Sequence, residues 1–183
     1  MADTSQITAA AAAAAAVTRL TRHVPDFPEP GVSFADLTPV FADGYALHMV
    51  VEAMSAPFVG VDLVAGIDAR GFLLGSGIAL TLGTGVLAVR KKGKLPPPVH
   101  VQDYALEYGQ ATLEVPAEAI ELHGRRVLIV DDVLATGGTI AATIELMRRA
   151  GAEVSGVAVA AEIPGLGGRE AITDVPLVCL TAV

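Results

Sequence analysis

A chain of 183 residues, 52% hydrophobic and 17% charged, has the length and apolar content for one domain with a buried core, and leaves little room for a second. Its net charge of -8, from 12 Lys and Arg against 20 Asp and Glu, excludes a broad nucleic-acid-binding surface and requires any basic site to be local. One cysteine, Cys179 in an apolar stretch, excludes a disulfide framework and a cysteine-built metal site and fits a reducing cytoplasm.

Residues 9–16 are all alanine, but Asp3 precedes them and no basic residue does, so the run reads as mature sequence and not as a secretory core. Ile7, Ala10, Ala14, Val17, Leu20 or Thr21, and Val24 recur at helical spacing, which predicts a packed N-terminal helix. No stretch is long and apolar enough to predict a membrane span. Next, Pro25, Pro28 and Pro30 around Asp26, Phe27 and Glu29 forbid regular structure and hold the chain extended up to Gly31, placing Val32, Ser33 and Phe34 at a fixed location. A purine has a flat apolar face, and Phe34 offers one to stack on it.

Asp43 has the character of an N-cap for a helix that carries Leu47, Val50, Val51 and Met54 on one face and stops at Pro57. Residues 61–67 predict a buried strand ending in the charged turn Asp68, Ala69, Arg70, Gly71, ahead of an apolar helix over 72–82. Arg70 at a strand end points to an anion. Residues 85–90 predict a third strand; residues 83–88 match G-x-G-x-x-A in form only, because they lead into a strand instead of opening a helix. Arg90, Lys91, Lys92 and Lys94 then concentrate basic charge at the start of an excursion over 91–109 that holds Pro96, Pro97, Pro98, His100 and Asp103 and ends in Tyr104, Ala105, Leu106, Glu107, Tyr108 and Gly109. Excursions of this length inside a domain are usually functional. A short strand over 112–115 follows. Apolar strands at 127–130, 154–161 and 175–181 bring the buried strands to five, with helices between them, which predicts an α/β fold with a parallel core.

Residues 127–139 are the centre of this pattern. Four apolar residues run into Asp131 and Asp132, then into Val133 and Leu134, then into the small residues Ala135, Thr136, Gly137, Gly138 and Thr139, and a helical pattern continues from Ile140 to Arg149. Ligands bind at such strand ends. A turn without bulky side chains lets a ligand approach backbone N–H groups at the positive end of the following helix, which suits a phosphate. Like charge keeps the two carboxylates off the phosphate itself, but they can accept hydrogen bonds from sugar hydroxyls or meet a magnesium ion. The combination implies a sugar phosphate. A Walker loop is excluded, since no G-x-x-x-x-G-K-[ST] occurs, and His23, His48, His100 and His123 have no ligand spacing for a protein-bound metal.

This stretch resembles the phosphoribosyl pyrophosphate (PRPP) motif of the type I phosphoribosyltransferases. The segments PDFPEPGVSF, AGIDARGF, VRKKGKLP and YALEYG resemble, in order, those of the adenine-specific members, so the likeness covers roughly residues 20 to 170. It implies a central five-stranded parallel sheet flanked by helices, a single phosphoribosyltransferase domain over 1–183, a small hood within residues 1–40 and a mobile catalytic loop over 90–109. The implied reaction moves the phosphoribosyl group from PRPP to adenine and releases AMP and pyrophosphate, a step of purine salvage in the cytoplasm, with Mg2+ carried by PRPP and no metal held by the protein alone.

Residue by residue, the resemblance puts the ribose and catalytic charge on Asp131 and Asp132, and the 5'-phosphate on Ala135, Thr136, Gly137, Gly138 and Thr139. Pyrophosphate falls to Asp68, Ala69, Arg70, Arg90, Lys91 and Lys94, with a cis peptide at Asp68-Ala69. Adenine falls to Ser33, Phe34 and Ala35, with Glu107 as the proton acceptor; many relatives carry arginine where this chain has Ala35. A homodimer is implied as well, with the basic loop at its two-fold. Two other readings share the motif. An enzyme for a 6-oxopurine base usually carries an aspartate in the phosphate loop, where this chain has Ala135, and a PRPP-sensing regulator would need a DNA-binding appendage for which an acidic chain of this length has no room.

Overall fold

A computed structural model describes residues 4–105 and 110–183. Five strands form the parallel core expected from the sequence: β3 (Leu63–Ile67), β4 (Gly85–Lys91), β7 (Arg126–Leu134), β8 (Glu153–Glu162) and β9 (Leu177–Ala182), in the order β4-β3-β7-β8-β9. The continuous apolar runs of β3, β7 and β8 are explained by burial on both faces, while β4 and the edge strand β9 are only partly buried. Val64, Leu128, Val130, Ala158 and Ala160 pack into one core with α1 (Thr4–Leu20), α3 (Gly44–Ser55) and α4 (Gly71–Leu82). Their strand neighbours Leu63, Ala65, Val127, Ile129, Val157 and Val159 pack into another, beneath α5 (Gly138–Arg149). The period of two along each strand is what divides them.

Asp43 caps α3 as expected, accepting hydrogen bonds from Tyr45 N and Ala46 N at 3.0 and 2.9 Å. The N-terminal helix buries Ala13, Ala16 and Val17 but stops at Leu20, four residues short of the expected pattern. Val24 belongs instead to β1 (Arg22–Pro25), which pairs antiparallel with β2 (Ser33–Asp36). Pro25 ends β1, and Pro28 and Pro30 occupy the loop of the hairpin, which Asp26 organises by accepting from Gly31 N at 2.7 Å. A five-residue helix, α2 (Thr38–Ala42), follows it and was not expected from the sequence.

The excursion over 91–109 also proves more regular than its prolines suggest. Residues 99–105 form β5 (Val99–Ala105), paired antiparallel with β6 (Gln110–Pro116) across seven registered positions, and β6 joins the sheet beside β4 through Arg90↔Glu114 and Lys91↔Leu113. The whole sheet is seven-stranded, β5-β6-β4-β3-β7-β8-β9.

One register detail positions the site. Strand β3 pairs with β7 only as far as Gly66↔Val130, while β7 continues to Leu134 against β8 alone. Asp131 and Asp132 thus lie inside β7, in the part that outruns its neighbour, and not beyond the strand's end as the sequence suggests. Helix α4 starts tight against this edge: a Cβ on Gly71 would stand 2.6 Å from Val130 O, closer than any side chain tolerates.

Candidate active site

Two strand-to-helix turns and the β1–β2 hairpin face one another at the carboxyl edge of the sheet, where ligands of open α/β folds bind. A cleft of about 490 Å³ lies between Asp68, Ala69, Arg70, Lys91, Asp131, Asp132, Val133, Thr139 and Tyr104, with Ile67, Ala111 and Leu113 at its back. A larger cavity of about 700 Å³ adjoins it, roofed by residues 31–35 and walled by Arg70, Val133, Ile163 and Leu166, with Ala135, Thr136, Gly138 and Thr139 at its side.

The β3–α4 turn carries charge. Its Asp68-Ala69 peptide is cis, as the resemblance implies. Burial alone would raise the Asp68 carboxyl, but hydrogen bonds from Arg90 Nε at 2.9 Å and Lys91 N at 3.4 Å outweigh it and hold the group below its ordinary range. Arg90 is therefore engaged behind the turn, on Asp68 and over the Phe72 ring at 5.6 Å, and does not line the cleft. Lys91 does; Lys94 stands exposed outside it.

Arg70 also has partners within the chain. Its Nε stands 2.9 Å from Asp132 Oδ2, yet the N–H is not aligned with that oxygen, which is left buried with no hydrogen bond. The guanidinium also lies 5.1 Å from the centre of the Phe34 ring, close enough for a cation–π contact. Phe34 is held edge-on by Phe27, with centroids 5.2 Å apart.

Adjacent carboxylates in one cleft resist ionising together. Burial, and then the charge of Asp132, push the Asp131 carboxyl well above its ordinary value. Burial raises Asp132 as well, and Arg70 offsets part of that rise. Asp132 N donates to Asp131 Oδ1 at 2.9 Å, fixing the pair's geometry. A pair poised in this way is better satisfied by an incoming hydroxyl or cation than by the protein alone, and the unbonded Asp132 Oδ2 is the atom that shows it.

The β7–α5 turn carries no charge. Gly137 has φ +83°, a conformation that disfavours side chains, and α5 opens without a side-chain cap. The turn is wedged against the loop after β8, since a Cβ on Gly137 would meet Gly168 O at 2.8 Å. Small residues and unclaimed N–H groups at a helix start form an anion cradle.

Ser33, Phe34 and Ala35 all line the large cavity, and β2 is bonded along one edge only, so its other edge keeps backbone groups unpaired among the described strands. Glu107, expected at the base, lies outside the described residues. Sequence reasoning missed Tyr104, Val133, Ile163 and Leu166. For Ile163 and Leu166 a signal existed, because they follow the carboxyl end of β8, the same sheet edge that marks the two turns. Among the described residues no three His, Cys, Asp or Glu side chains converge on a metal-sized space.

The fold and these turns define a class, the type I phosphoribosyltransferases: the Phosphoribosyl transferase domain family matches residues 49–181. Relatives narrow it. The adenine phosphoribosyltransferase of Mycobacteroides abscessus is 60% identical over 91% of this chain and 94% of its own length, and that of Rhodococcus jostii 61% over 92% and 95%. The crystal structure of adenine phosphoribosyltransferase from Rhodothermus marinus superposes with a TM-score of 0.88 at 45% identity, covering 94% of this chain and 99% of that one. A yeast enzyme of the same name, from Saccharomyces cerevisiae and complexed with adenine and an imino-alditol bisphosphate, gives 0.86 at 34%, covering 93% and 99%. The chain belongs to the adenine phosphoribosyltransferase family.

Proposed function

We propose that this chain transfers the 5-phosphoribosyl group of PRPP to N9 of adenine, giving AMP and pyrophosphate in purine salvage. The observation that carries this reading is the meeting of an uncapped helix start, a buried pair of adjacent carboxylates and, in the adjoining cavity, the Phe34 ring. The 5'-phosphate takes residues 135–139, the ribose hydroxyls take Asp131 and Asp132, and pyrophosphate lies by the turn of Asp68, Ala69 and Arg70 with Lys91. Arg90 and Lys94 act on it from outside the cleft. As pyrophosphate leaves, positive charge grows on the ribosyl ring, and neighbouring carboxylates stabilise that state more than the ground state. Asp131 and the unbonded Oδ2 of Asp132 would hold the Mg2+ brought in with PRPP, and the ion would supply charge neutralisation at the phosphates.

Adenine stacks on Phe34, with its edge read by the backbone of Ser33 and Ala35. Glu107 accepts the N7 proton that becomes acidic as the N9 bond forms. Residues 1–183 act as one catalytic unit, with the hood in 1–40 and the loop in 90–109. We place the reaction in the cytoplasm and the enzyme in a homodimer. Exposed Leu73, Leu80 and Val86 on α4 and β4 support the dimer, and light scattering tests it.

The deciding experiment measures AMP formation from PRPP with adenine, alongside hypoxanthine and guanine. Product from adenine alone supports the reading; a preference for either oxopurine, or no turnover with any base, overturns it. In the same assay Glu107→Ala is expected to lose turnover by about a hundredfold to ten-thousandfold with PRPP affinity nearly unchanged, the range of general acid–base catalysis.

A further inference from the structure

One polar group in the cleft, Tyr104, has no part in the transfer. Its side chain is partly buried against the core beneath α5, and the residue lines the cleft with Asp131, Asp132 and Lys91. The Tyr104 hydroxyl lies 3.4 Å from Thr139 Oγ1, in the first turn of α5. The separation is long for two hydroxyls, and with Thr139 donating, the Tyr104 proton has no acceptor among the described residues.

We propose that Tyr104 binds phosphate, donating its O–H to an oxygen of the phosphate seated on residues 135–139. The proposal rests on the reading of that turn as the 5'-phosphate site. The turn itself supplies backbone N–H groups and the hydroxyls of Thr136 and Thr139. Strand β5 brings the Tyr104 hydroxyl beside Thr139 from a separate element, where a neutral donor adds a hydrogen bond without burying another charge near two carboxylates.

Calorimetric titration of the wild-type protein and of Tyr104→Phe, each with ribose 5-phosphate and separately with pyrophosphate, tests this. Phenylalanine keeps the ring in its packing and removes only the donor. Ribose 5-phosphate is expected to bind about tenfold more weakly to the variant, the loss of one hydrogen bond to a charged acceptor, with pyrophosphate affinity unchanged within about twofold. If wild-type protein binds no ribose 5-phosphate, the reading of the turn falls and the proposal with it. If it binds and the variant binds equally, the assignment of Tyr104 alone is overturned. Equal weakening of both ligands together with a lowered melting temperature also overturns it, because the tyrosine would then only hold the hairpin in place.

Discussion

The turn from β3 into α4 and the turn from β7 into α5 leave neighbouring parallel strands at the same edge of the sheet, yet they share almost no chemistry. The first is charged, and each charge is engaged: Asp68 with Arg90, Arg70 with Asp132 and Phe34. The second has only small side chains and leaves its helix start without a side-chain cap. Helix α4 also opens without a side-chain cap, whereas α3, away from the cleft, is closed by Asp43, which accepts from both Tyr45 N and Ala46 N. The contrast separates two ways of meeting an anion. One uses side chains whose charge must be held in check until the ligand arrives, and the other uses backbone groups that need only be kept free.

The largest test of this contrast removes the acids between the turns. Asp131→Asn combined with Asp132→Asn is expected to lower turnover by roughly a hundredfold to a thousandfold, the scale of losing preorganised electrostatic groups. Near-normal activity would mean the pair does not face the reacting sugar. Asp131→Asn alone sharpens the point through stability. The folded-state pKa of Asp131 lies above its unfolded value, so its favourable contribution is complete below the unfolded pKa and is lost as pH rises through the folded one. The variant cannot ionise. Its melting temperature should match wild type near pH 4 and exceed it at pH 8 by roughly 2–4 °C, a change of about 1 kcal/mol for a chain of this size. A variant less stable at pH 8 would contradict that sign.

The next test acts on the uncharged turn. Gly137→Ala puts a Cβ on a residue with φ +83° and against Gly168 O, so the cradle must shift or strain by about 1–3 kcal/mol. We expect the KM for PRPP to rise roughly tenfold or more, with the KM for adenine much less affected, on the scale of 1.4 kcal/mol per tenfold. Unchanged KM values for PRPP would show that the backbone of this turn does not grip the ligand. The smallest effect belongs to the closed helix start: Asp43→Ala should cost about 1 kcal/mol of stability and leave both KM values alone. Thermal melting and steady-state kinetics on one preparation check it, and a kinetic change would erase the distinction between the two kinds of helix start.

The parallel core was legible because strands buried on both faces are written as unbroken apolar runs. Strand β5 was not, although Val99, His100, Val101 and Gln102 alternate as a half-exposed antiparallel strand does; the three prolines before them obscured the signal. Helix α2 is too short for a period to register. In the site, the acids and the small turn stood out because packing rarely demands them. Ile163 and Leu166 did not, since their one signal, a place after the carboxyl end of an apolar strand, says where they lie and not that an aliphatic side chain there lines a cavity. Nor could the sequence say that Arg90 would meet Asp68 while Arg70 met Asp132, because which charges pair is decided only when the sheet edge closes.

The placing of Arg70 bears on how the two halves of the cleft communicate. One guanidinium touches the ring that roofs the large cavity and the carboxylate that borders the smaller cleft. A ligand that draws it toward either partner changes what the other partner retains, so the halves do not fill independently. Their occupancies are joined by a coupling free energy, and thermodynamic linkage makes that coupling symmetric: whatever factor a sugar phosphate imposes on the affinity for the base, the base imposes in return.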